Sequence, residues 1–167
     1  ADRPQGVAGT NRGVIVAISH PEDEHTPPVL EALGRLGAPG VLLDVARMVQ
    51  GDWTPLPADF EITAAHLEQA AKRQHVRLQR GDTVFIRTGW GQYFKADSVK
   101  YKGDFSPGPS LNGADFLIKH GARIVGNDTL TFEKRPPIVF EPKFQVFPVH
   151  MRLIADSGIY IIENLNL

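Results

Sequence analysis

The chain has 167 residues, a formal net charge of -1 and a charged fraction of 22%, so its charge does not favour binding to nucleic acid or to an anionic membrane. The absence of cysteine excludes disulfides, thiolate nucleophiles and cysteine-ligated metal centres. No apolar stretch is long enough to span a membrane. These properties predict a cytoplasmic protein with a single domain over residues 1–167.

The first part of the chain combines predicted elements with a polar segment rich in possible ligands. An apolar run predicts a strand over 14–18, and a segment led by two prolines predicts a helix over 27–36. Between them, the polar segment 19–25 contains Asp23 and His25. Such side chains can bind a metal or transfer protons, but prolines and charges are also typical of a solvated loop. Both interpretations remain open.

The rest of the chain alternates strands with helices. Strands are predicted over 40–45, 83–88, 122–126 and 159–162. Helices are predicted over 64–74 with Thr63 as N-cap, over 112–120 with Asn112 as N-cap, and from Pro148 to Gly158. Segments 46–60, 92–109 and 131–145 are predicted to be loops. The second of these fits a lid over a site, an interface or a packed surface loop. This alternation predicts an α/β fold.

The end of the chain places a histidine and a glutamate on consecutive elements. Pro148 favours the start of a helix, which puts His150 in its first turn, and the apolar run 159–162 predicts a buried strand that ends at Glu163. Both side chains can bind a divalent metal or act as acid or base, although a helix cap and an exposed strand end are equally ordinary roles. Polar residues also follow the other predicted strands, where α/β sheets place their ligand sites. They are Asp44, Arg87, Thr88, Asn127 and Asp128.

The ordered set of these segments resembles the cyclase-like family of metal-dependent hydrolases, which includes kynurenine formamidases and isatin hydrolases. The resemblance extends over residues 38–167 and rests on the order of the segments rather than on any one of them. The matching segments are 40–45, 62–68, 81–90, 125–129, 147–150 and 158–165.

The resemblance implies a fold, a reaction and a set of site residues. It implies a mixed-sheet swivelling β/β/α domain, a homodimer, bound zinc or manganese, and hydrolysis of a C–N bond in a small amide, lactam or cyclic substrate. The expected metal ligands are His150, Glu163 and Asp23. The expected catalytic residues are His25 and His150, and the expected substrate-binding residues are Arg87, Trp90 and Asp128.

One departure from the family pattern affects these expectations. The motif His-x-Gly-Thr-His-x-Asp-x-Pro-x-His, which supplies most of the family's metal ligands, is absent. The N-terminal part is therefore expected to be truncated or diverged, and hydrolysis by this chain is expected to be weak. Uncovered apolar strand surfaces would then favour self-association. The alternative is a catalytically inactive relative that keeps the fold for binding or assembly.

Overall fold

The computed structural model describes residues 40–167. The strand predicted over 14–18, the helix predicted over 27–36, Asp23 and His25 lie outside the described residues. A 3-10 turn (Trp90–Gln92) precedes the helix Tyr93–Ala96, and a π-helical turn (Met151–Ala155) continues the helix Pro148–His150. In chain order the elements are β1 (Gly40–Asp44), α1 (Val45–Gln50), β2 (Glu61–Ile62), α2 (Ala64–Arg73), β3 (Thr83–Arg87), α3 (Tyr93–Ala96), α4 (Ser98–Lys102), β4 (Gly108–Pro109), α5 (Leu111–Lys119), β5 (Ile124–Asn127), β6 (Ile138–Val139), β7 (Gln145–Val146), α6 (Pro148–His150) and β8 (Tyr160–Ile162).

The central sheet has the strand order β1-β3-β5-β8 within the described residues, and each neighbouring pair is parallel. Parallel strands require crossover connections, and the helices provide them. Two small sheets lie beside it, the parallel pair β2–β4 and the antiparallel hairpin β6–β7. The predicted α/β class is confirmed.

The two faces of the central sheet are covered differently. Side chains alternate between the faces along each strand, so Val84 and Ile86 pack into the main core while Phe85 points to the other face. On that second face, Leu165 and Leu167 from the end of the chain pack against Phe85. A glycine is required at position 126, because a Cβ atom there would lie 2.8 Å from the backbone oxygen of Ile162 and from the Leu165 side chain.

Two predicted boundaries are wrong for the same reason, namely that a capping side chain was overlooked. Segment 46–60 is not wholly a loop, because the Asp44 carboxylate accepts a hydrogen bond from Arg47 N and caps α1. The helix predicted over 112–120 begins earlier, at Leu111, and Ser110 is its N-cap. Asn112 instead accepts a hydrogen bond from Ala64 N at the start of α2.

Other segments also depart from expectation. The strand predicted to be buried over 159–162 is an edge strand in the described sheet, and Tyr160 is 68% exposed. Segment 131–145 contains the β6 strand and the start of β7, and segment 92–109 contains α3 and α4. No helix within residues 40–167 combines the length and apolar character needed to cross a bilayer.

Candidate functional site

The carboxyl ends of the four central strands meet at one edge of the sheet, as the sequence predicted. Asp44 pairs with Arg87 across β1 and β3, and Asn127 pairs with Ile86 across β3 and β5. Glu163 directly follows β8. The strand ends therefore collect charged and polar side chains at one place, which is where α/β sheets usually bind ligands.

His150 and Glu163 are in direct contact at this edge. His150 Nε2 lies 3.0 Å from Glu163 Oε1. The same carboxylate oxygen also accepts a hydrogen bond of 2.6 Å from Phe132 N, in the loop that follows β5. Both side chains remain partly exposed, at 22% for His150 and 29% for Glu163, so a small molecule could reach them.

Glu133 completes the arrangement from the buried side. Its Oε1 atom lies 2.6 Å from His150 Nδ1, and its carboxylate also accepts hydrogen bonds from Val149 N and His150 N. Glu133 therefore caps the start of α6 and fixes the orientation of the imidazole ring at the same time. We call Glu133, His150 and Glu163 the histidine–carboxylate cluster.

Protonation of the cluster follows from its contacts. Burial alone would lower the pKa of His150, but hydrogen bonds to Glu133 and Glu163 outweigh that effect and raise the pKa to about 9. Burial disfavours the ionised form of Glu163, yet hydrogen bonds from His150 and Phe132 N hold its pKa below the usual value. At neutral pH the imidazole therefore carries a proton on each nitrogen and lies between two carboxylates.

Asp128 is placed in a separate, closed network. Its carboxylate is fully buried and accepts hydrogen bonds from Thr88 N, Thr88 Oγ1 and Gly91 N. Burial raises its pKa, although these hydrogen bonds act in the opposite direction. Thr88 Oγ1 in turn accepts a hydrogen bond from the backbone of Trp90, which is 2% exposed. Asp128 and Trp90 thus tie the loop after β3 to the end of β5.

Arg87 belongs to a buried ion pair. Its Nη1 atom lies 3.0 Å from Asp44 Oδ1, and the two side chains are 6% and 3% exposed. The Arg87 guanidinium also lies 4.9 Å from the ring centroid of Trp53, and Arg47 lies 4.8 Å from the same ring. Both charges of the pair are thereby compensated within the protein.

Tyr101 and Asn164 lie next to the histidine–carboxylate cluster. The Tyr101 hydroxyl donates a hydrogen bond of 2.9 Å to Asn164 Oδ1. Burial and the nearby charges of Asp128 and Glu163 raise the pKa of Tyr101 to about 12, so the hydroxyl keeps its proton at neutral pH. Both residues line a cavity of about 510 Å³ that also includes Phe85.

The described residues do not by themselves fit a divalent metal ion. A catalytic site usually needs about three protein ligands. Within residues 40–167, no group of three or more histidine, aspartate or glutamate side chains could hold an ion. His150 Nε2 and Glu163 Oε1 are instead at hydrogen-bonding distance from each other.

The structure brings together only part of the predicted site. His150 and Glu163 are in contact. Within residues 40–167, the Asp128 carboxylate instead accepts its hydrogen bonds from Thr88 and Gly91. Sequence reasoning missed Glu133, which lies 17 residues before His150 in a segment predicted to be an ordinary loop. The available signal was a charged residue beside an aromatic one, Phe132, which is weak evidence.

Comparison with known families and structures supports the same fold. The cyclase family matches residues 11–134, which is most of the chain. A structure described as a novel cyclase shares 27% identity with a TM-score of 0.63, covering 75% of this chain and 39% of that one. A search of curated proteins finds no significant match.

Two isatin hydrolases are also similar. Isatin hydrolase A from Ralstonia solanacearum shares 23% identity with a TM-score of 0.61, which bears on the fold alone. Isatin hydrolase A from Labrenzia aggregata, bound to benzyl benzoate, shares 25% identity with a TM-score of 0.59. Each comparison covers 77% of this chain and 47% of the other, so this chain spans less than half the length of these structures.

Proposed function

Because the chain belongs to the cyclase family, we propose that it is a hydrolase that cleaves a C–N bond in a small amide, lactam or related cyclic substrate. The observation that carries this proposal is the contact of His150 with both Glu133 and Glu163 at the carboxyl ends of parallel strands. Similarity to isatin hydrolases supports the reaction class. The activity of the whole protein is part of the proposal, because the chain spans less than half of those structures.

Hydrolysis of a C–N bond needs a proton acceptor for the attacking water and a proton donor for the leaving nitrogen. Glu133 fixes His150 Nδ1, so Nε2 is the nitrogen that faces the partly exposed side of the cluster. With a pKa of about 9, His150 carries a proton at neutral pH and is suited to donate it. Glu163 stays ionised there and is a candidate proton acceptor, a weak base because its pKa is lowered.

A bound zinc or manganese ion is a further part of the proposal. It would be held by His150, Glu163 and a donor outside the described residues, for which Asp23 is the sequence-based candidate. Such an ion supplies an acidified water and polarises a carbonyl group. His150 would then serve as a ligand, and His25 is the sequence-based candidate for proton transfer. Arg87, Trp90 and Asp128 remain predictions for substrate binding.

The proposal is tested by hydrolysis of isatin and of N-formylkynurenine, with zinc and manganese measured in the same preparation. The wild-type chain is expected to turn over slowly, since the family's N-terminal motif is absent. His150→Ala should lower that rate about 100-fold or more, the contribution typical of a lost acid–base group. The matched control is His75→Asn, at an exposed histidine with φ of 55°, a conformation that asparagine tolerates. Equal rates in wild type and His150→Ala would contradict the proposal.

The second candidate is a catalytically inactive cyclase-fold protein that serves binding or assembly. The observation that favours it is that residues 40–167 offer no set of three metal-ligating side chains. No turnover of either compound, with zinc or manganese added in excess, would support this candidate over the hydrolase.

A further inference from the structure

Tyr101 lies beside the residue that follows Glu163. It is 1% exposed, and Phe94 packs edge-on against its ring with centroids 5.3 Å apart. Its hydroxyl donates to Asn164 Oδ1 at 2.9 Å and also lies 3.5 Å from the Asp128 carbonyl oxygen. A buried tyrosine hydroxyl usually has a hydrogen-bond partner, and here that partner is Asn164.

Asn164 adopts a backbone conformation that needs support. Its φ is 59°, in the left-handed region, where asparagine is more readily accommodated than most residues. Asn164 N donates to Thr129 O at 3.0 Å, and Leu165 N donates to Asn127 O at 3.0 Å. The turn after β8 is therefore attached to β5 and to its following loop through the backbone, and to α4 through Tyr101.

Glu163 is held on both sides as a result. On one side Phe132 N donates to its carboxylate at 2.6 Å. On the other side its chain neighbour Asn164 is fixed by Tyr101. In this turn conformation the Glu163 carboxylate lies 3.0 Å from His150 Nε2.

We propose that Tyr101 is a positioning residue for Glu163, because its hydroxyl holds Asn164 and thereby keeps the Glu163 carboxylate directed at His150. This inference rests on the proposed function, since the position of Glu163 matters for turnover only if the histidine–carboxylate cluster carries the reaction. Segment 92–109 then supports the site through Tyr101. It does not act as the lid that the sequence offered as one alternative.

The first test measures turnover. Tyr101→Phe removes the hydroxyl and keeps the ring, and Asn164→Gly removes the acceptor while tolerating the positive φ. Each is expected to lower kcat about tenfold with KM within about twofold, and the double variant should be no slower than either single one. Tyr160→Phe is the control, because Tyr160 is 68% exposed. Unchanged kcat in Tyr101→Phe, or fully multiplicative effects in the double variant, would overturn the proposal.

The second test needs no turnover. Hydrogen exchange of the Phe132 amide reports its hydrogen bond to Glu163 in the metal-free chain. Tyr101→Phe and Asn164→Gly should each accelerate this exchange about fivefold, the effect of losing one hydrogen bond, while amides of β3 keep their wild-type rates. Wild-type exchange at Phe132, or equal acceleration throughout β3, would overturn the proposal. A wild-type chain without turnover would refute the proposed function, and exchange at Phe132 would still decide whether Tyr101 holds Glu163.

Discussion

Two charged clusters lie at the same edge of the central sheet and differ in accessibility and in charge balance. At the ends of β1 and β3, Arg87 and Asp44 form one pair whose side chains are 6% and 3% exposed. At the ends of β5 and β8, one imidazole lies between two carboxylates, and His150 and Glu163 are 22% and 29% exposed. The first cluster is closed to solvent and neutral, whereas the second is open on one side and carries an excess negative charge.

The difference distinguishes a cluster that is closed to solvent from one that a small molecule could reach. A buried pair of opposite charges keeps each charge compensated within the protein. An imidazole that contacts two carboxylates, one of them partly exposed, can exchange a proton or accept a cation. Position at a strand end therefore does not by itself select a candidate functional residue, and accessibility and charge balance are needed as well.

The largest effect is expected at the closed cluster. Arg87→Met leaves the Asp44 carboxylate buried without its charged partner, and should lower the free energy of unfolding by about 3–5 kcal/mol. Urea denaturation monitored by circular dichroism measures it. Lys72→Ala, at an exposed pair with Glu68, is the control and should cost less than about 1 kcal/mol. A loss below about 1 kcal/mol for Arg87→Met would remove the distinction between the clusters.

The second-largest effect is expected in the pH dependence of the free energy of unfolding, to which His150 contributes. Its folded-state pKa of about 9 lies above the usual value of 6.5, so its contribution is fully present below about pH 6.5 and is lost as the pH rises through about 9. The loss should be on the order of 3 kcal/mol between these limits. Urea midpoints from pH 6 to 9.5 measure it, and His150→Ala should flatten the curve. The same slope in wild type and His150→Ala would show that other groups cause it.

Glu133→Gln should have a smaller effect on stability, because glutamine keeps the shape and the acceptor oxygen while removing the charge. We expect a loss of about 1.5–3 kcal/mol at pH 7, typical of a hydrogen bond to a charged group, and a lower pKa for His150. Denaturation and an NMR titration of the imidazole provide the two readouts. Glu61→Gln, at an exposed glutamate, serves as the control. A His150 pKa that stays near 9 in Glu133→Gln would contradict the assigned role of Glu133.

The smallest effect on stability is expected outside both clusters, at the β6–β7 hairpin. Phe140 and Phe144 are 72% and 60% exposed, with ring centroids 5.8 Å apart. We propose that this aromatic surface contributes to a homodimer. Phe140→Ser with Phe144→Ser should change stability by less than about 0.5 kcal/mol and shift sedimentation toward the monomer. Val99→Ser, at a residue 83% exposed, is the control. Unchanged association would count against this interface.

Much of the fold within residues 40–167 was predictable because the local pattern of apolar residues determines it. Buried runs such as 83–88 and the spaced apolar positions of α2 identify strands and helices from their periodicity. The N-caps Asp44 and Ser110 were harder to predict, because other polar residues nearby were equally plausible N-caps. The exposure of β8 was not predictable from its apolar sequence, since it depends on which elements lie beside the strand.

The site was predictable only where its residues follow regular elements. His150 and Glu163 were found because a helix start and a strand end locate them. Glu133 and Tyr101 were missed as site residues because their contacts, with His150 and Asn164, join distant parts of the chain. No spacing rule relates a loop glutamate to a histidine 17 residues later.

The measurement that tests the central claim most directly is a calorimetric titration of zinc and of manganese into the wild-type chain, His150→Ala and Glu163→Gln at pH 7. The account predicts that the wild type binds one ion and releases a proton, since the imidazole must lose its proton to become a ligand. Both variants should bind at least about tenfold more weakly, which is 1.4 kcal/mol. Equal affinity in all three chains, or no binding by the wild type, would contradict the proposal that His150 and Glu163 help to hold a metal ion.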